Sequence, residues 1–119
     1  MKPSQVLRAA RDKLAPPECW IQFDYARTAR NQVTDPRECD AICWCSNGAI
    51  IAVTWRNDDQ LRTDARRYLR RTIERTGYGP RRASDAGEII AWNDAAGRVH
   101  EEVLAAFAKA AELAERDGQ

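Results

Sequence analysis

The residues best suited to chemistry form one block, Asn93 to Glu102, in which short polar side chains, a glycine and an arginine precede a helical pattern. The first amides of a helix lack backbone partners and carry the positive end of the helix dipole, so they suit a phosphate or a carboxylate. Arg98 would add a bidentate contact to such an anion. The alternative is that Asn93 and Asp94 only cap the helix, because Asn and Asp dominate capping positions.

A thiol-based active site is a second hypothesis, since the block contains the single histidine of the chain, His100, and four cysteines occur elsewhere. Cys45 or Cys43 would be the nucleophile, His100 the base, and Asp94 or Asn93 the group that orients the base. The small apolar residues around these cysteines favour the opposite interpretation, in which the thiols are buried and unreactive.

A zinc site would use the cysteines together with His100. Structural zinc is usually held by Cys-x-x-Cys pairs on turns, whereas the spacing Cys39, Cys43 and Cys45, placed on a helix, does not turn three sulfurs toward one point. Cys19 is more distant in sequence. We therefore expect reduced thiols, with no metal and no cofactor.

A stripe of arginines follows residue 56, where nine basic and four acidic residues lie in 56–82, while three basic and eight acidic residues lie in 83–119. Such a stripe suits phosphates, but a sequence pI of about 7.7 is low for a nucleic-acid binder. We expect a solvated helix face that pairs with carboxylates across a subunit boundary, hence a homo-oligomer, and nucleic acid is not an expected partner. The arginines are Arg62, Arg66, Arg67, Arg70, Arg71 and Arg75, then Arg81 and Arg82.

The elements that position these residues are predicted from apolar spacing. The pattern indicates a mainly α protein, a compact bundle of about four helices with a possible short two-stranded β element. Ser4 is the expected cap of the first helix, and Asp35 followed by Pro36 is the expected start of the second. The helices are expected at residues 4–14, 36 to about 54, 57–59 to about 76, and about 97–116.

Two short segments have no settled assignment. Residues 19–25 are rich in β-formers and fit a strand or an extended segment, and residues 89–92 fit a strand or a half-turn. Whether they pair is left open. Gly48, in the second predicted helix, would let another backbone or a ligand approach closely.

The length of 119 residues fits a single domain over 1–119, and 44% hydrophobic with 31% charged residues is ordinary for a globular protein. The start at Met1 has no apolar signal-peptide core, and no run reaches membrane-spanning length. We expect a cytoplasmic protein.

Two blocks resemble a family of small bacterial and phage proteins catalogued only as a domain of unknown function. The blocks are Trp44-Cys45-Ser46-Asn47-Gly48-Ala49-Ile50 and Trp92-Asn93-Asp94-Ala95-Ala96-Gly97-Arg98-Val99-His100-Glu101-Glu102-Val103. The family pattern has a threonine where this chain has Val99, so the last helix is expected to be capped at Asp94 or Gly97. The resemblance implies a bacterial or phage-infected cell and, by analogy, an action on host defence.

Together these observations predict a non-enzymatic, oligomeric protein that binds a phosphorylated or nucleotide-like small molecule, as a protein that sequesters a host signal would. Trp20 and Trp92 adjoin the polar Gln22 and Asn93 and would stack on a planar ligand, although a core position is the safer expectation for the four tryptophans. The alternatives are a cysteine-dependent hydrolase using Cys45 and His100, and a protein-interaction module using the arginine face. The predicted ligand-binding residues are Trp20, Gln22, Cys45, Trp92, Asn93, Asp94 and Arg98, with Arg81 and Arg82 as an anion clamp.

Overall fold

The computed structural model describes residues 1–73 and 82–119, and these contain five α-helices, one 3-10 turn and a two-stranded antiparallel sheet. The mainly α class with a short β element is therefore confirmed. In chain order the elements are α1 (Pro3–Leu14), the 3-10 turn (Pro17–Cys19), β1 (Ala26–Thr28), β2 (Ala41–Trp44), α2 (Ser46–Ala52), α3 (Asp59–Thr72), α4 (Asp85–Asn93) and α5 (His100–Arg116).

The core lies where α1, α3 and α5 meet. Each of these helices repeats apolar residues at three- and four-residue intervals, so one stripe faces the other two helices. Alanines in α5 keep the helices close, and Phe107 fills the space between them. The fully buried side chains of this core are Val6, Leu7, Ala10 and Leu14 from α1, Ala65 and Leu69 from α3, and Val103, Phe107, Ala110, Ala111 and Ala114 from α5.

The predicted helix over residues 36 to about 54 is wrong in its first part, which contains β2, and is confirmed in its second part, which forms α2. Asp35 does make a cap-like contact, since its side chain accepts a hydrogen bond from the Arg37 amide at 2.8 Å, but the chain turns there and continues as a strand. The alternation in β2, where Ile42 is exposed between buried neighbours, matches the two-residue period of a strand. The capping pattern at Asp35 and Pro36 therefore does not start a helix here.

The sheet places α2 against the segment before β1. Ala26 pairs with Trp44 and Arg27 with Cys43. A Cβ atom built on Gly48 would lie 2.0 Å from the carbonyl oxygen of Tyr25, so only glycine permits this approach of backbone to helix. The close approach predicted at Gly48 is thus present, and its partner is the chain itself.

The segment that contains residues 89–92 is helical, so neither the strand nor the half-turn suggested for it is correct. Ser84 caps α4 by accepting a hydrogen bond from the Gly87 amide at 3.0 Å. Helix α5 begins at His100 with Val99 as its N-cap, so the predicted caps at Asp94 and Gly97 are wrong. The Glu102 carboxylate accepts the Val99 amide at 3.0 Å, which satisfies one donor of this helix start.

Helix α1 confirms the prediction for residues 4–14 except at its first turn. Lys2 is the N-cap and Pro3 the first helical residue, whereas Ser4 lies inside the helix and donates its hydroxyl to the carbonyl of Gln119. Within the part of the chain that the structure describes, no helix is long and apolar enough to cross a membrane.

Candidate functional site

The side chain of Asn93 joins three separate parts of the chain. It lies at the last position of α4 and is fully buried. Its oxygen accepts hydrogen bonds from the Trp20 indole at 2.8 Å and from the Ser46 amide and hydroxyl at 3.0 and 2.6 Å. Its nitrogen donates to the carbonyl of Ile21 at 3.1 Å and to the Asp94 carboxylate at 3.0 Å. Both amide donors are used, and the oxygen already has three donors, so none of this capacity is open to a ligand.

Gln22 and Asp94 extend this Asn93 network toward the surface. Gln22 donates its side-chain nitrogen to the carbonyls of Asn93 and Ala95 at 3.0 and 3.1 Å. Asp94 accepts the backbone amide of Phe23 at 2.8 Å. The structure therefore brings together four predicted site residues: Trp20, Gln22, Asn93 and Asp94. Their polar atoms form internal hydrogen bonds that hold the segment leading into β1.

The position of Asn93 and Asp94 also changes the expected electrostatics. They lie at the C-terminal end of α4, where the helix dipole is negative, and not at the start of α5. The first turn of α5 carries Glu101 and Glu102, and Glu102 occupies the Val99 amide. An anion site on the amides of this helix start, as the sequence predicted, therefore has no support from the geometry.

Cys45 and His100 occupy different environments. Cys45 is the N-cap of α2, and its sulfur accepts the Gly48 amide at 3.3 Å. Burial raises the pKa of this thiol to about 11, and the charge of Asp94 acts in the same direction. The Nε2 atom of His100 lies 2.6 Å from the carbonyl of Leu14, to which it donates. The thiol is protonated at neutral pH and makes no hydrogen bond to the imidazole, so the pair lacks the arrangement that a cysteine nucleophile requires.

The remaining cysteines are free thiols in separate settings. Cys39 is exposed, Cys43 is buried, and Cys19 is partly covered, with burial and Glu18 raising the pKa of its thiol. Among residues 1–73 and 82–119, no group of three or more His, Cys, Asp or Glu side chains is arranged to hold a metal ion.

Trp92 and Arg98 form the wall of a cleft between the end of α3, the loop after α4, and α5. The Arg98 guanidinium lies over the Trp92 ring, 4.6 Å from its centre, and its Nε donates to the Trp92 carbonyl at 2.8 Å. Its Nη1 is 3.3 Å from a Glu102 oxygen. The side chain is only 13% exposed, so it is held in one orientation. The cleft has a volume of about 500 Å³.

A second depression of about 390 Å³ adjoins this cleft along α5 and shares Thr72, Ile73 and Lys109 with it. Four cations face the two depressions against two carboxylates, so the combined surface, which we call the α3–α5 cleft, favours an anion. Its charged residues are Arg71, Arg98, Lys109 and Arg116, with Glu102 and Glu112.

Only Arg82 of the predicted anion clamp is described, and it is not part of the Asn93 network. Arg81 lies outside the described residues. Arg82 contacts the start of α4, where its amide donates to Glu88 at 2.7 Å. Nine residues of helix separate this end from Asn93, roughly 13 Å at 1.5 Å per residue.

Among the described residues, four of the five arginines of α3 are paired with carboxylates of the same chain, and Arg66 is not. Arg70 lies 2.7 Å from Asp85 of α4, and Arg71 lies 3.8 Å from Asp117 beyond α5. Arg62 was expected on a solvated face, but it is buried and donates to the hydroxyl of Thr54 and the carbonyl of Trp55. Much of the charge asymmetry between the basic and acidic parts of the sequence is therefore neutralised by ion pairs within one subunit.

Sequence reasoning missed three residues. Ser46 is fully buried and completes the Asn93 network. Its sequence offered one indication of this role, because Ser46 and Asn47 are two adjacent polar residues inside an apolar run. Asn47 accepts a hydrogen bond from Arg66 at 2.8 Å. Trp55 is 79% exposed, against the expectation of a core position, and nothing in its local sequence distinguished it from the other tryptophans.

Most of the chain matches a catalogued family. Residues 1–113 match the family described as a family of unknown function (DUF6197), so the chain belongs to that family and the resemblance seen in the two sequence blocks is confirmed. No curated protein and no solved structure matches the chain.

Proposed function

We propose that this protein is a binding protein for a phosphorylated or nucleotide-like small molecule, which it holds in the α3–α5 cleft without chemical turnover. The observation that carries the proposal is the fixed pair of Arg98 and Trp92. A guanidinium already oriented by stacking and by a backbone hydrogen bond loses little freedom when it binds a phosphate, and its Nη2 donors are left for that ligand.

The dimensions and lining of the cleft agree with this ligand class. A volume of about 500 Å³ is in the range of small-molecule sites. Ile73, Ala105 and Ala106 supply apolar surface for a base or a sugar, while Lys109 adds a second positive charge. Lys109 is exposed and has no carboxylate partner among the described residues, so its charge is available to an anion.

The proposal moves the site away from the polar cluster predicted from sequence. Trp20, Gln22, Asn93 and Asp94 become the supports of the loop that leads to Arg98, and Trp92 and Arg98 become the contact residues. A protein that binds such a ligand and does not transform it would act by sequestering it. No residue with the arrangement of a nucleophile and base faces the cleft within the described residues.

The test is a thermal-shift titration of purified protein against a panel of nucleotides, cyclic nucleotides and phosphorylated metabolites. A ligand that binds only the folded state raises its stability by mass action, by about 2.7 kcal/mol at a concentration 100 times Kd. Lys109→Glu should weaken the response at least tenfold, because it places a negative charge in the cleft. Arg30→Glu is the matched control, since Arg30 lies on an exposed turn beyond β1 and should leave binding unchanged.

Absence of a shift with every member of the panel would contradict the proposal. An equal loss of binding in Lys109→Glu and Arg30→Glu would show non-specific charge attraction and would contradict the assignment of the cleft.

A further inference from the structure

Phe23 has a conformation and an exposure that the stability of one subunit does not explain. Its φ angle is +79°, in the left-handed region, and its side chain is 73% exposed. A residue with a Cβ atom is strained there, while glycine adopts this conformation readily. The Asp94 carboxylate holds the Phe23 amide at 2.8 Å, and Gln22 is anchored beside it. The fold therefore fixes an aromatic side chain in solvent at a position where glycine would be less strained.

Two other aromatic residues are exposed, and both lie beside α3. Tyr25, two residues after Phe23, is 44% exposed and lies against the start of α2. Arg66 is close enough to Tyr25 for the two to interact electrostatically, and Arg62, one turn earlier on α3, donates to the carbonyl of Trp55 at 2.9 Å. Tyr25 and Trp55 thus flank one stretch of α3.

The charges between these aromatic side chains have both signs. Arg37 and Arg66 use their Nε atoms on neutral acceptors, the Thr54 carbonyl and the Asn47 side chain, at 2.9 and 2.8 Å. Within residues 1–73 and 82–119 neither guanidinium has a carboxylate within 4.0 Å. Burial lowers the pKa of both guanidinium groups, and so does the nearby charge of Arg62. A negative group that covered them would be favourable.

Carboxylates are present on the same stretch of surface. The side chain of Asp59 is 88% exposed and contacts only the buried Arg62, and Asp58 has no ion-pair partner among the described residues. We call this surface the aromatic face and define it by Phe23, Tyr25, Trp55, Arg37, Arg66, Asp58 and Asp59.

We infer that the aromatic face binds a second copy of this chain about a twofold axis. In a twofold interface the same patch meets itself, so the patch must carry groups that complement each other. The aromatic face does, since the carboxylates of one copy can meet the unpaired guanidiniums of the other. Exposed aromatic residues and arginines are the side chains enriched at the centre of protein interfaces.

The mixed charge decides against nucleic acid as the occupant. A polyanion is bound by surfaces that neutralise several phosphates, and carboxylates among the arginines oppose that. The size of the patch also fits a partner of protein size. Aromatic side chains bury about 150–250 Å² each, so three of them at the observed exposures supply a substantial part of the roughly 800 Å² that each partner contributes to a stable interface.

The experiment is sedimentation velocity across micromolar to high-micromolar protein, without added ligand. Wild-type protein should show a concentration-dependent species of twice the 13.5 kDa monomer mass. Phe23→Gly and Trp55→Ser should each raise the dimer dissociation constant at least tenfold. Val33→Ser is the matched control, because Val33 is also exposed and lies outside the aromatic face. Glycine suits the observed φ angle of residue 23, so the Phe23→Gly monomer should unfold at an equal or higher denaturant concentration than the wild type. A loss of the dimer in this variant therefore cannot be attributed to a loss of monomer stability.

A wild-type protein that remains a monomer over the whole range would overturn the inference. So would a dimer that persists in Phe23→Gly, or one that is lost equally in Val33→Ser. A monomer whose tryptophan fluorescence is quenched by oligothymidylate, with the response lost in Trp55→Ser, would assign the face to nucleic acid instead. The inference is independent of the proposed ligand, because the two surfaces share no residue and either test can fail alone.

Discussion

The indole N–H of Trp20 donates to the side-chain oxygen of Asn93 across 2.8 Å, although 73 residues separate the two in sequence. The same oxygen accepts two hydrogen bonds from Ser46 at the start of α2. One buried amide thus connects the segment before β1, the start of α2 and the end of α4. The network therefore fixes the polar groups of these three parts relative to one another.

Asn93→Leu should lower the free energy of unfolding by at least about 3 kcal/mol. The substitution leaves the Trp20 indole and both Ser46 donors without their acceptor in a buried setting, and each unsatisfied group costs about 1–3 kcal/mol. Urea denaturation followed by tryptophan fluorescence measures the change. The same substitution at the exposed Asn57 should change stability by less than about 0.5 kcal/mol. Equal effects at the two positions would show that the Asn93 network adds nothing to stability.

Gly48→Ala should be more destabilising than Gly97→Ala. At position 48 the new methyl group would lie 2.0 Å from the Tyr25 carbonyl oxygen, and two backbone segments would have to separate, at a cost of about 1–3 kcal/mol or more. At position 97 the space is open and only the φ angle of +81° opposes alanine, at roughly 1–2 kcal/mol. Thermal unfolding of both variants gives the order, and a reversed order would contradict the contact between α2 and the Tyr25 backbone.

Val99→Thr should stabilise the protein by about 1 kcal/mol. Val99 is the N-cap of α5 and has no side-chain acceptor, while Glu102 already accepts its amide at 3.0 Å. A threonine hydroxyl would complete the reciprocal pair by accepting the amide of Glu102. Val33→Thr makes the same change at an exposed position outside any helix and should be close to neutral. A melting temperature that falls in Val99→Thr would show that the cap geometry cannot form.

Stability should decline as pH rises from about 9 to about 11, and Cys45 should account for a measurable part of the decline. Its thiol has a pKa of about 11 in the folded protein and 9.0 as an ordinary thiol, so the unfolded chain releases its proton first and is favoured increasingly over this interval. Below pH 9 the Cys45 thiol is protonated in both the folded and the unfolded state, so its full contribution to stability is present. The loss amounts to roughly 2–3 kcal/mol.

The Cys45→Ala variant measures that part directly, because its unfolding free energy should depend less steeply on pH than that of the wild type. Alkylation by iodoacetamide near neutral pH gives an independent check. The exposed Cys39 should be labelled first, and Cys45 should be labelled only on unfolding. Rapid labelling of Cys45 in the folded protein would revive the hydrolase alternative.

The sequence determined the helices whose stability comes from one apolar stripe. α1, α3 and α5 repeat apolar residues at helical spacing over 12 to 17 residues, and such a pattern has one satisfactory conformation. The two blocks around Cys45 and Asn93 also identified the family. Residues 36–45 were misassigned because Asp35, Pro36 and the small residues after them fit a helix start locally, whereas pairing with β1 decides the strand.

Only the tertiary structure decided what the predicted site residues do. Asn93, Asp94 and Gln22 look open to a ligand in sequence, and they become internal supports because their partners lie in distant segments. The burial of Arg62 and the exposure of Phe23 and Trp55 are likewise set by packing between elements. Hydrogen-bond partners and solvent exposure are properties of three-dimensional neighbours, and the spacing of residues along one chain does not specify them.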